Sequence, residues 1–289
     1  MIINHNISAL NTHRQLGVNT NNLAKNVEKL SSGYRINRAA DDAAGLSISE
    51  RMRAQIRGME QASRNSQDGI SLIQVAEGAL QTVNNMLVRI KELATQSANG
   101  TYDDAADRQR LKEELDELTK EIENIQNNTT FNGIHLLNAS SSGVISFQIG
   151  DSSTQTLDLD LTRFSLAYAS GSASGSGSGG ATSVTDTVKN WDISTQSGAR
   201  AVLAGIEAVI NKVSAARSYL GANQNRLENT INNLNITTEN LTAAESRIRD
   251  VDMAKEQMQF TKNNILTQAS QAMLAQANQL PQGVLQLLR

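Results

Sequence analysis

"IEAVINKVSAARSYLGANQNRLENTINNLNITTENLTAAESRI", residues 206 to 248, carries an aliphatic side chain at every seventh position: Ile206, Val213, Leu220, Leu227, Leu234, Leu241 and Ile248. A strand repeats its faces every second residue, whereas a sustained seven-residue recurrence is the seam of a helix in a bundle or coiled coil. At about 1.5 Å per residue the run predicts one helix of about 65 Å. The positions between are mixed, with Ile210 and Ile231 apolar but Arg217, Gln224, Thr238 and Glu245 polar. That excludes a simple two-stranded zipper and predicts packing against another helical element.

The N-terminal half supplies that element. From Met52, the positions Met59, Ser66, Ile73, Leu80, Leu87 and Ala94 follow at intervals of seven, interleaved with Ile48, Ala62, Gly69, Ala76, Val83 and Ile90. After the turn-forming "ANGTYDD" a second seam, Leu111, Leu115, Leu118, Ile122 and Ile125, is short enough to fold back antiparallel on the first. Between the helical halves, "GVISFQIG" and "TLDLDLTRFSLAY" alternate polar and apolar residues around "DSSTQ" and predict one β-hairpin, with Asp158 and Asp160 on its solvated face. "SGSASGSGSGG", residues 170 to 180, can bury almost nothing and reads as a flexible connector. The fold class expected is mainly α: an elongated antiparallel helical bundle or coiled-coil rod with one small β-hairpin, its terminal helices pairing as an inner coiled coil.

Composition agrees. The chain has 289 residues but only one Trp, four Tyr and four Phe, thin material for a thick globular core, and its single proline, Pro281, leaves helix uninterrupted over most of the length. A formal charge of -3 gives no global attraction to nucleic acid or anionic membrane. No stretch is apolar enough to insert in a bilayer, and the start lacks a basic segment followed by an apolar one. Absence of cysteine removes disulfides and thiolate sites. His5, His13 and His135 lie in different elements without metal-ligand spacing, and no nucleophile elbow or phosphate loop occurs. No catalytic residue, metal or cofactor is expected, and an enzyme reading has no foothold in these residues.

The two ends are Asn- and Gln-rich and weakly amphipathic. Their candidate packing residues, Ile7, Leu10, Leu23, Val27 and Leu30 against Met258, Ile265, Ala272, Met273 and Leu280, are too sparse to hold a lone helix. Each end needs a partner, either the opposite terminus or neighbouring subunits. In "LSSGYRINRAADDAAGLSISERMR", residues 30 to 53, Gly33 can end the first helix and Ser47 or Ser49 can start the next. The intervening spoke offers Arg35, Arg38, Asp41 and Asp42, whose mixed charge is expected to pair between neighbouring subunits.

"MIINHNISALNT", "LSSGYRINRAADDAAGLSISERMRAQIRG", "NSQDGISLIQVAEGAL", "KELATQSANGTY" and "FNG", with "AAESRIRDVDMAKEQMQFTKNNILTQASQAMLAQANQ" and "VLQLLR" at the far end, resemble bacterial flagellin. The resemblance covers roughly residues 1 to 150 and 195 to 289, and only the middle departs. It implies five regions: an inner-tube helix plus spoke over 1–46, the first part of an outer core domain over 47–169, a connector over 170–185 replacing the variable outer domain, the long core helix over 186–249, and the C-terminal inner-tube helix over 250–289. It also implies polymerisation with copies of itself into the extracellular filament used for motility, and type III export without a cleaved signal peptide. The implied partners are an export chaperone, the filament cap and the hook-filament junction proteins. A hook-filament junction protein is the nearest rival, because it shares the terminal helices; the complete "SQDGISLIQVAEGAL" and "SRIRDVDMA" blocks favour flagellin. Some flagellins resemble metalloproteases through a zinc motif in the inserted domain, and this sequence has neither insertion nor motif.

One stripe remains. On the first long helix Arg89, Leu93 and Gln96 fall beside the core seam at i, i+4 and i+7. From pattern alone, Leu93 either widens the core face or meets another molecule. The resemblance implies that "VRIKELATQSANG", with a glutamate aligned to Glu114, is the surface read by the Toll-like innate immune receptor for flagellin, on the monomer rather than the filament.

Overall fold

The computed structural model describes residues 6–101, 103, 106–138, 143–166 and 184–287. All but the end of the expected 170–185 connector lies outside them. The described residues form helices α1 (Ile7–Ser32), α2 (Ala43–Ser97), α3 (Asp107–Asn128), α4 (Val184–Lys189), α5 (Gln196–Arg249) and α6 (Met253–Leu287), with strands β1 (Thr130–Phe131), β2 (Ile134–His135), β3 (Val144–Gln148) and β4 (Thr156–Asp160). The class is mainly helical, as the seams predict, but it has two β-hairpins rather than one. The additional pair, β1 with β2, turns on Asn132 and Gly133, both at positive φ (49° and 79°), as a two-residue Asn-Gly turn requires. Strand β4 is shorter than the alternation suggests: the Asp160 side chain accepts from the Thr162 N–H and turns the chain into a 3₁₀ turn at Leu161–Arg163. Asp158 is exposed while Leu157 and Leu159 are buried, the expected alternation.

The chain divides into two compact units, residues 58–237 and residues 1–57 with 238–289. In the first, α2 runs antiparallel to α3, shown by Arg89 against Glu114 and by Arg108 against Ser97, and antiparallel to α5, shown by Lys91 against Glu207 and Glu77 against Arg217. Ile73, Leu80, Leu87, Leu220 and Leu227 are fully buried where the spacing put them, and Leu234 is half-buried. The second row of the α5 seam differs from expectation. It is Val209, Ala216 and Asn223 that are buried, one residue earlier than Ile210, Arg217 and Gln224. That placement accounts for the polar residues: Arg217 sits on the flank, 3.5 Å from Glu77.

At Gly69 on α2, an added Cβ would lie 3.2 Å from the Leu227 Cδ1 and 3.4 Å from the Phe147 ring. A glycine occupies this seam position because α5 and the β3–β4 hairpin both press against it. The end of α2 is secured by a buried arginine: Arg108 Nε donates to the Ser97 carbonyl at 2.9 Å and Nη2 to that of Asn99 at 2.9 Å, satisfying groups that the helix itself leaves unpaired.

Each fully buried leucine in this core contributes about 1.5–3 kcal/mol by transfer from water, and truncation also leaves a cavity. Leu87→Ala should therefore destabilise the folded chain by about 2–5 kcal/mol in denaturant unfolding. Val88→Ala, at an exposed neighbour on the same turn, should change stability by no more than about 0.5 kcal/mol.

Candidate assembly interface

The second unit contains the two terminal helices, packed antiparallel. Asn6 Nδ2 donates to the Ala277 carbonyl at 2.8 Å, and Asn19 Nδ2 donates to Ser270 Oγ at 3.0 Å. In the amide orientation that satisfies both of its ends, Asn26 donates to Glu256 Oε1 at 3.0 Å and accepts from Asn263 Nδ2 at 2.9 Å. Facing residues recur at alternating steps of three and four: Ala9, Thr12, Leu16, Asn19, Leu23, Asn26 and Leu30 on α1, with Glu256, Phe260, Asn263, Thr267, Ser270, Leu274 and Ala277 on α6. This is a heptad seam, but a polar-rich one.

That corrects the reading of the termini. Among the packing residues named from sequence, Leu23 and Leu30 lie on the α1–α6 seam. Ile7, Leu10, Val27, Met258, Ile265 and Met273 do not; they stand exposed to between 48% and 68%. Ala272 is likewise exposed, and the Leu280 side chain lies outside the described residues. Apolar bulk alone does not mark the inward face of the termini; the spacing Ala9, Leu16, Leu23, Leu30 with Asn19 and Asn26 marks it.

Two connectors complete the unit. Gly33 ends α1 at φ 74°, and its N–H bonds to the Lys29 carbonyl. The chain then pairs with the segment between α5 and α6: the Arg35 N–H donates to the Arg249 carbonyl at 2.7 Å and the Val251 N–H to that of Gly33 at 3.0 Å, forming an antiparallel bridge between Tyr34 and Asp250. The Arg249 guanidinium lies 4.7 Å from the Tyr34 ring centroid. Beyond the connectors, α2 and α5 are joined by Arg53–Glu245 at 3.0 Å, and the half-buried Leu241 lies on this stretch of α5.

Each spoke residue has a partner within the chain. The Arg35 guanidinium donates to the Ile248 carbonyl, and Arg38 meets Glu28 at 2.9 Å. Asp41 Oδ2 accepts from the Arg38 and Asn37 N–H groups at 3.0 and 3.2 Å, and Asp42 Oδ1 accepts from the Gly45 N–H at 2.9 Å. Helix α2 thus begins at Ala43 behind an aspartate cap, not at Ser47 or Ser49. Close packing holds that cap: a Cβ on Gly45 would clash with the Asp42 carboxyl and the Ile36 side chain.

In the other unit, the structure brings Arg89 and Glu114 together at 2.8 Å on an exposed surface, with Glu92 at 3.1 Å and Gln96 also exposed. Donation to the Glu114 carboxylate, then to that of Glu92, holds the Arg89 guanidinium above its ordinary pKa. Leu93 is not on this surface. At 1% exposure it belongs to the buried core with Ile90, Ala94 and Leu115.

Residues 3–142 match the family model for the bacterial flagellin N-terminal helical region, and residues 203–288 the model for the C-terminal helical region. The chain is 54% identical to a flagellin of Halalkalibacterium halodurans over the whole of both chains. It is 46% identical to a flagellar filament core protein of Treponema phagedenis, again over the whole of both. The chain belongs to the bacterial flagellin family. It is accordingly a structural subunit of the extracellular flagellar filament and not an enzyme. A solved structure described as a flagellar hook-associated protein of Vibrio parahaemolyticus shares the fold, with a TM-score of 0.59 at 16% identity over 73% of this chain and 100% of that one.

For this flagellin, the charged spoke therefore has a structural part to play inside each subunit. Donation from the Arg38 N–H, partly opposed by desolvation and reinforced by the Asn37 N–H, holds the Asp41 carboxyl below its usual pKa. Its contribution is therefore complete above the unfolded value of about 3.9 and is lost as pH falls through the folded pKa. Relative to the intrinsic rate at each pH, amide exchange at Asn37 and Arg38, followed by NMR, should stay slow at neutral pH and lose that protection only below that range. In Asp41→Ala it should be fast at every pH.

Proposed function

We propose that this chain polymerises by burying the outward apolar faces of α1 and α6 against neighbouring copies. The carrying observation is that Ile7, Leu10, Met258, Ile265 and Met273 are each more than 60% exposed on paired helices. Burying such side chains yields about 25 cal/mol per Å² of apolar surface removed from water. A contact that repeats head to tail without closing grows a filament rather than a ring. The spoke charges also meet neighbouring subunits in this reading, in addition to their partners within the chain.

The same reading includes type III export, consistent with a chain that has no cysteine and few aromatics to unfold. It also includes an export chaperone, the filament cap and the hook-filament junction proteins as partners. Electron microscopy of the full chain and of a variant lacking residues 1–40 and 254–289 tests it. Filaments are expected from the full chain and none from the truncation; filaments from both would overturn the proposal.

A second reading, compatible with the first, is that the free subunit is a ligand of the Toll-like innate immune receptor for flagellin. The exposed Arg89–Glu114 pair favours it, with Gln96 beside them and Leu93 supporting the helix from beneath. Arg89→Ala and Glu114→Ala subunits should each bind the receptor at least about fivefold more weakly, at about 1 kcal/mol per truncated anchor, with unchanged melting temperatures. Leu93→Ala should lower the melting temperature as well. Wild-type affinity in both surface variants would remove the site.

A further inference from the structure

The pair formed by α1 and α6 turns amides inward and its largest apolar side chains outward. Asn26 is the only buried side chain described on α1, at 7% exposure, while Ile7, Leu10 and Val18 on the same helix are exposed. At about 100° per residue, those three lie roughly half a turn from the inward row. Aliphatic contacts at Leu16, Leu23 and Leu30 are non-directional and accept any apolar neighbour. The amides are selective, because each requires particular partner atoms: Ser270 Oγ for Asn19, and Glu256 Oε1 with Asn263 Nδ2 for Asn26.

We propose that Asn26, assisted by Asn19, determines which faces of the terminal helices meet, and so which faces remain outside for other subunits. The inference deepens the filament reading and rests on it for its consequence, although the facing itself is a property of one chain. A buried amide in a helical seam exchanges some stability for a unique arrangement. With Asn26 replaced by an apolar residue, the helices can rotate about one another. Ile7, Leu10 and Val18 then compete for the interior, and the outward face that polymerisation needs is lost.

The absence of cysteine allows a direct test in the full chain. Cysteines introduced as Asn19→Cys and Ser270→Cys, whose native side chains are in hydrogen-bond contact, report native facing when treated with a short thiol cross-linker. Adding Asn26→Leu should reduce the yield of that link at least fivefold while helicity by circular dichroism is kept. In a chain carrying Asn26→Leu alone, polymerisation should fall. Asn26→Ala, which adds no apolar bulk, serves as the second variant and should reduce the link as well. An unchanged link in both variants would overturn the proposal, as would unchanged polymerisation with Asn26→Leu. A 19–270 link that closes in the doubly substituted chain retaining Asn26, beside a wild-type chain that never polymerises, would instead sink the filament reading and leave the facing rule standing.

Discussion

Antiparallel packing of the α2 seam on α5 is the constraint to which the other elements answer. Ile73, Leu80, Val83 and Leu87 are fully buried with Ile206, Val213, Leu220 and Leu227. Helices of 55 and 54 residues gain most of their stability from such tertiary burial rather than from local propensity. Helix α3 and the β3–β4 hairpin add to the same core, and Gly69 supplies the close approach that lets Phe147 and Leu227 reach it.

The two units use opposite chemistry on the same periodicity. Residues 58–237 contain a continuous aliphatic core, whereas the α1–α6 pair buries amides, hydroxyls and a few leucines. A seam of that kind supplies modest net stabilisation, because each hydrogen bond formed replaces one to water. The outward methionines and isoleucines are therefore the larger unclaimed source of burial in the terminal helices. A subunit that keeps this source unspent until it meets other subunits is suited to assembly.

Much of the site lies in connectors rather than helices. The bridge between Gly33–Arg35 and Arg249–Val251, the Arg249–Tyr34 contact and the aspartate turns at Asp41 and Asp42 satisfy backbone groups where helices end. The bridge and the Arg249–Tyr34 contact join residues more than two hundred positions apart, so no local pattern announces them. Arg35, Arg38, Asp41 and Asp42 were conspicuous in the sequence as charges. Their intramolecular partners, an Ile248 carbonyl and the N–H groups of Arg38 and Gly45 among them, were not.

What the sequence determined by itself was the helical class, the long seams, the β3–β4 hairpin and the family. These depend on periodicity and on long contiguous motifs, both written in one dimension. Tertiary structure alone decided which of two adjacent rows on α5 faces inward, so that Ala216 and Asn223 are buried while Arg217 reaches Glu77. It also decided that Leu93 belongs to the core and that Asn26, not Ile7 or Met258, faces the partner helix. A helix's rotation about its axis is set by everything packed around it. Where apolar and polar residues alternate at nearly equivalent spacings, only the neighbours choose between faces.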